Sequence, residues 1–209
     1  IIDSAQIKAG EVILEVGPGT GNLTQALLES GANVVAVEKD GDLIRLLNSK
    51  TQITNYKQNP NSKLQTIKKD ILEFDETSIK KTYRVIANIP YYLTGALIQK
   101  FLLSPNRPSQ MMLMTQKEVG ERITARPPRA NYLSSLVQFL ADAEILFPVK
   151  KENFWPQPKV DSVIIKLTPH LISTSLRSYA HAKSAEKEKY IDFLKKVFKQ
   201  PRQTLFNNL

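Results

Sequence analysis

Glu15-Val16-Gly17-Pro18-Gly19-Thr20-Gly21 closes an apolar run and opens into a helix-forming one. Glycines at such a turn let the backbone bend tightly and approach a ligand closely, so a nucleoside-type cofactor belongs there. The dinucleotide fingerprint spaces its glycines G-x-G-x-x-G, but Asn22 follows Gly21 and the third glycine arrives one residue early, which disfavours NAD. A G-x-G-x-G loop without a P-loop lysine fits a ligand that lacks a pyrophosphate, and S-adenosylmethionine is the common one. A tight strand-to-helix connection with no ligand is the plainer alternative. Two acids add weight. Glu38 ends the second apolar run, where a carboxylate can accept hydrogen bonds from both ribose hydroxyls, and Asp70 closes the third, where it can accept one from an adenine amino group.

Asn88-Ile89-Pro90-Tyr91 follows a fourth apolar run. An exocyclic adenine amine is a poor nucleophile because its lone pair is delocalised into the ring. The Asn88 side-chain oxygen and the Ile89 carbonyl could accept its two N–H hydrogens, favouring a more tetrahedral nitrogen whose lone pair points at a methyl donor. Pro90 stiffens the loop and holds Ile89 extended, and Tyr91 offers a face on which the base can stack. A base reached in this way is unstacked from its neighbours, which costs least in loops and at helix ends.

These residues need a sheet whose strand ends converge. Short β-rich runs at 12–16, 34–37, 64–67, 84–87 and 111–114 alternate with helical stretches at 22–30, 42–48, 95–103, 116–124 and 133–141, the pattern of βαβ units around a largely parallel sheet. Runs at 145–149 and 163–167 form a final hairpin around the Pro-rich stretch Phe154-Trp155-Pro156-Gln157-Pro158. Beyond Pro169 the composition turns polar and basic. There Tyr190, Phe193, Leu194, Val197 and Phe198 form an amphipathic stripe, with Lys187, Lys189, Lys195, Lys196 and Lys199 mostly on other faces. A small helical unit docked on the main domain is expected.

Composition bounds the partners. The 209 residues, 42% of them apolar, suffice for one core and a small appendage. There is no cysteine, and His170 and His181 lack Cys or Glu at ligand spacing, so no metal is expected. No apolar run reaches membrane length and no signal-peptide layout opens the chain; a cytoplasmic protein is expected. Lys and Arg outnumber Asp and Glu by 29 to 20, for a net charge of +9, and such a field draws polyanions, nucleic acid first.

The chain resembles the ribosomal RNA adenine N6-dimethyltransferases of the KsgA type. The resemblance runs through 15–24, Val35-Ala36-Val37-Glu38, Asn88-Ile89-Pro90-Tyr91-Tyr92, Gln116-Lys117-Glu118-Val119 and Phe154-Trp155-Pro156-Gln157-Pro158-Lys159-Val160-Asp161-Ser162, nearly the whole chain. It implies an α/β fold, a Rossmann-like seven-stranded S-adenosylmethionine-dependent methyltransferase sheet over residues 1–168, with a small all-α C-terminal domain, partial here, over 169–209. It implies transfer of four methyl groups to two adjacent adenines in the hairpin loop near the 3′ end of small-subunit (16S) rRNA, acting on the immature 30S particle as a monomer. Cofactor contacts would come from Glu15, Gly17, Gly19, Gly21, Glu38, Lys39, Asp70, Ile71 and Asn88. Asn88, Ile89, Pro90 and Tyr91 would form the catalytic loop, with Tyr91 and Phe154 sandwiching the target base. RNA contacts would fall to Lys117, Arg122, Arg126, Arg129, Lys195 and Lys196.

Four departures stand out. The chain begins at Ile1, where the family has a preceding Gln-x-Phe-Leu segment, and stops at Asn207-Asn208-Leu209, where the family continues; both ends read as cut. Leu133 follows Tyr132 where glycine is usual, and Pro201 interrupts a basic stretch. The rival within the same chemistry is the macrolide-resistance 23S rRNA adenine methyltransferase; Pro18 and Asp161 favour the small-subunit enzyme. From other classes come a non-catalytic RNA-binding assembly factor, opposed by the intact Glu38, Asp70 and Asn88, and a nicotinamide oxidoreductase, opposed by Asn22.

Overall fold

The computed structural model describes residues 1–53, 63–170 and 188–198. His181, Lys187, Lys199, Pro201 and residues 207–209 lie outside them, as do the side chains of residues 51–53 and of Tyr91.

Five parallel strands form the body of one sheet: β1 (Val12–Val16), β2 (Asn33–Glu38), β3 (Lys63–Lys68), β4 (Tyr83–Asn88) and β5 (Gln110–Gln116). Two more, β6 (Ala141–Val149) and β7 (Ser162–Pro169), join antiparallel, in the order β3-β2-β1-β4-β5-β7-β6. The inner strands read as continuous apolar runs because both of their faces are covered. Leu14, Ile13, Val85, Ile86 and Met112 are fully buried, whereas edge strands β3 and β6 keep about half their residues in contact with water.

Helices cover the two faces. On one, α1 (Ile2–Ala5), α2 (Asn22–Glu29) and α3 (Gly41–Ile53) bury Leu27, Leu28 and Leu47 against Ile13, Ala36 and Ile86. On the other, α4 (Thr94–Leu103), α5 (Lys117–Thr124) and α6 (Tyr132–Leu140) bury Leu97, Phe101, Ile123 and Val137 against Leu14, Val85 and Leu113. Each such side chain removed from water contributes roughly 1.5–3 kcal/mol.

Every expected strand and helix is present, most of them a residue or two longer. α3 extends to Ile53. α6 stops at Leu140, one residue early, because Ala141 is already extended and pairs with Pro169 as the start of β6. The four residues of α1 are too short to show a period; Arg84 Nη2 holds them, donating to Ala5 O at 2.8 Å.

Residues 188–197 are helical and pack on α6. The face turned inward carries Tyr190, Ile191, Leu194 and Phe198, with Leu194 only 3% exposed and the Tyr190 ring 4.2 Å from that of Phe139. The expected stripe is therefore corrected. Phe193 lies about 100° off this face on a 3.6-residue wheel and is exposed, while Ile191 takes its place.

Candidate active site

Strand order reverses between β1 and β4, so the loops leaving their C-terminal ends diverge and open a crevice. The loop after β1 turns through left-handed conformations at Gly17 (φ 63), Gly19 (φ 55) and Gly21 (φ 85). Cβ atoms built on Gly17 and Gly19 would meet nothing within 4 Å, so both backbones face open space. Gly21 differs, since its Cβ would strike Leu47. Gly17 N donates to Val37 O at 2.9 Å, which pins the loop beside the end of β2.

A cavity of about 280 Å³ opens here, lined by Glu15, Gly17, Pro18, Gly19, Thr20, Asn22, Leu23 and Asn88. The sheet thus brings the glycine loop and the Asn88 loop, more than sixty residues apart in sequence, onto one hollow. Asn88 is exposed at the tip of β4, whereas the Ile89 side chain, 2% exposed, anchors the loop in the core. Pro90 O accepts from Leu93 N at 3.0 Å, closing a turn that leads into α4. Beneath it the Thr94 and Thr115 hydroxyls, both fully buried, meet at 3.3 Å and tie the start of α4 to β5. The Tyr91 backbone opens this turn; its side chain lies outside the described residues.

Glu38, Lys39, Asp70 and Ile71 stand farther along the same sheet edge, at the ends of β2 and β3. Glu38 Oε1 accepts from Asp40 N at 3.0 Å, and Asp70 Oδ1 from Leu72 N at 2.9 Å, so both carboxylates are held by their own turns. Lys39 is exposed. The Ile71 side chain points into the core, 5% exposed, so only its backbone could meet a ligand.

Glu15 is the electrostatic anomaly. It is 1% exposed, and burial pushes its carboxyl up to about 7, tempered by nearby Thr24. Even so, neither carboxyl oxygen, nor the buried Thr24 hydroxyl, meets a partner at hydrogen-bond geometry among the described residues. Thr24, Asn22 and Leu23 escape notice in the sequence; the signal that could have found Thr24 is its place one helical turn into α2, over an acid set in an apolar strand.

β7 runs antiparallel to β5, so the 150–161 loop returns to the crevice edge, and Phe154 comes with it. Phe154 is half-buried, outside both core clusters, and its neighbour Trp155 is 97% exposed. Asp161 shapes the loop: its Oδ1 accepts from Lys151 N and its carbonyl from Lys117 N. Lys117, Arg122, Arg126 and Arg129 are exposed on α5 and the loop after it. That loop ends on the crevice side, since Leu133 lies against Gly95 at the start of α4. Lys195 and Lys196 are exposed on the helix over α6, and no contact brings them to the crevice. Among the described residues no group of three His, Cys, Asp or Glu could hold a metal, and no helix is long and apolar enough to cross a membrane.

A family model described as ribosomal RNA adenine dimethylase matches residues 1–209. The chain is 35% identical over 218 residues to ribosomal RNA small subunit methyltransferase A of Lactobacillus johnsonii, spanning all of this chain and 71% of that protein. The protein of the same name from Thermosynechococcus vestitus is 43% identical over 177 residues, 81% of this chain and 63% of that one. A dimethyladenosine transferase structure from Plasmodium falciparum superposes with a TM-score of 0.74 at 28% identity, covering 99% of this chain and 69% of that one. The 23S rRNA methyltransferase ErmE gives 0.73 at 24% identity over 99% of this chain and 78% of that one, a likeness of fold alone.

Proposed function

The chain belongs to the ribosomal RNA adenine dimethylase family, and from that premise we propose that it converts two adjacent adenines in the 3′-terminal hairpin loop of small-subunit rRNA to N6,N6-dimethyladenine. It is an S-adenosylmethionine-dependent methyltransferase. The observation that carries the reading is the single hollow lined by Gly17, Gly19, Glu15 and Asn88.

The residues fit the cofactor. Gly17 and Gly19 offer a cradle that a Cβ would begin to fill, the orphaned Glu15 carboxyl calls for a partner, and Glu38 ends β2 where a ribose can be gripped. S-adenosylmethionine, when bound, supplies an electrophilic methyl on a sulfonium. Asn88 Oδ1 and the Ile89 carbonyl accept the two hydrogens of the target amine and localise its lone pair. Pro90 and the buried Ile89 side chain hold that geometry. Tyr91 and Phe154 stack on the base, which tolerates the change from amine to monomethyl to dimethyl product, as hydrogen-bond readout of both protons would not. Catalysis is positioning and carbonyl dipoles, with no metal and no covalent intermediate.

Lys117, Arg122, Arg126 and Arg129, with Lys195 and Lys196, contact rRNA phosphates, which position a substrate without reading its sequence. The protein acts as a cytoplasmic monomer on the immature small subunit, and residues 169–209 form a helical unit apart from the catalytic domain. The names of the relatives favour small-subunit over large-subunit rRNA. Incubation with methyl-labelled cofactor and immature small or large subunits, followed by mapping of the modified base, tests the reading. Paired dimethyladenines in the small-subunit hairpin are expected; transfer to cytosine, to protein or to large subunits overturns it.

A further inference from the structure

Glu15 occupies a position that the protein alone does not satisfy. Its β1 register sets it beside Ala36 of β2 and Ile86 of β4, with Ile13, Leu27 and Met112 in the apolar cluster on the same sheet face. A carboxyl removed from water without a partner is destabilising in either form and most so when ionised. The charged groups on the surrounding elements are engaged elsewhere. Lys50 of α3 donates to Thr20 O at 3.0 Å on the rim of the cavity. Glu38 of β2 is turned to Asp40 N, Glu29 of α2 accepts from Gln25, and Arg84 at the far end of β4 pairs with Glu11. What remains open to the Glu15 carboxyl is the cavity that it lines.

We infer that Glu15 binds a cation of the cofactor, giving up its carboxyl proton to solvent as that cation enters the cavity. The O–H bond breaks, the proton passes to buffer, and the carboxylate left behind pairs with the incoming positive charge; nothing is oxidised or reduced. The inference rests on the S-adenosylmethionine reading above and adds to it the form in which Glu15 acts. The ligand carries two cations, the sulfonium and the methionyl ammonium, and its demethylated product adenosylhomocysteine keeps only the second. If the sulfonium is the partner, methyl transfer leaves a buried carboxylate unpaired, and reprotonation of Glu15 accompanies product release. The site would then distinguish substrate from product by charge.

Calorimetric titration of the whole chain at about pH 6.5, in two buffers of different ionisation enthalpy, counts the protons released on binding. On the order of 0.7 proton is expected per S-adenosylmethionine bound, fading above about pH 8. Release with S-adenosylmethionine alone identifies the sulfonium, and release with adenosylhomocysteine as well identifies the ammonium; either supports the inference. Glu15→Gln should bind at least roughly tenfold more weakly and release none. Binding by the unaltered chain without proton release, or unchanged release from Glu15→Gln, overturns the inference and leaves the cofactor reading standing. Absence of binding by the unaltered chain removes both. Infrared difference spectra of the unaltered chain read the same event without a variant: the protonated carboxyl band should be lost when the cofactor is added, and its persistence overturns the inference.

Discussion

Gly21 stands so close to Leu47 that a Cβ on the glycine would lie 2.5 Å from Leu47 Cδ1. The last glycine of the loop is thereby fixed by the packing of α3 on α2, while Gly17 and Gly19 serve the cavity. Its φ of 85° adds a second constraint, since side-chain-bearing residues adopt that region at a cost of roughly 1–2 kcal/mol.

Gly21→Ala should therefore lose about 1–3 kcal/mol of stability in denaturant titrations. Adding Leu47→Ala to it relieves the steric contact but opens space in the core and leaves the backbone strain, so the double variant should not return to the stability of the unaltered chain. Full recovery would show that the contact alone matters.

Asn88→Ala should lower single-turnover methyl transfer by about 100- to 1000-fold, the usual loss when one oriented polar group is removed from a reacting centre. Because Asn88 sits at the tip of β4 and leaves the Ile89 anchor intact, RNA affinity by filter binding should change little. An unchanged transfer rate would remove the proposed role of its side chain.

The sheet and its site were legible to different degrees. Strands β1 to β5 announce themselves as apolar runs because a parallel sheet buries both faces, and the crevice follows from where those runs end. The rotation of the helix at 188–197 was not legible, because Phe193 and Ile191 are equally apolar and only the surface of α6 chooses between them. Glu15 could be placed at the cofactor loop from sequence, but its burial and lack of partners could not, since both depend on Thr24, Ala36 and Ile86 arriving from three other elements.

That burial sets a pH dependence. A carboxyl raised to about 7 from an ordinary 4.5 stabilises the ligand-free fold fully below 4.5, and this contribution is lost as pH rises to about 7. At about 1.4 kcal/mol per unit the loss is about 3 kcal/mol. Glu15→Gln should abolish this decline, so that the variant is the more stable protein at pH 8 and the two are alike near pH 4.5. Equal Tm values at both pH values would contradict the burial of an unpaired acid.

Lys100 Nζ lies 2.8 Å from Glu76 Oε2 and 2.7 Å from Phe74 O, both groups largely buried. The pair ties the segment after Asp70 to α4, which starts just beyond the catalytic loop. Burial opposes the Glu76 charge, but hydrogen bonds from Lys100 and Ser104 outweigh it and hold its pKa below the usual carboxylate value. Lys100→Met should cost about 3 kcal/mol by stranding a buried carboxylate, and adding Glu76→Gln should recover part of that. A double variant no better than Lys100→Met would argue against a charge effect.

Lys117, Arg126 and Arg129 reach solvent from α5 and the loop that returns to the crevice beside Gly95. If they touch phosphate, each contact releases counterions that the RNA would otherwise hold, and the logarithm of affinity falls with the logarithm of salt by about 0.7–0.9 per contact. Changing all three to Gln should flatten that slope by about 2 to 3 and weaken hairpin and unrelated RNA alike, because phosphate contacts carry no sequence information. The target adenine should stay the same when mapped at low salt, with a raised KM. A variant that keeps its salt slope but modifies a different base would place these residues in base readout, and the positioning surface would then have to lie elsewhere.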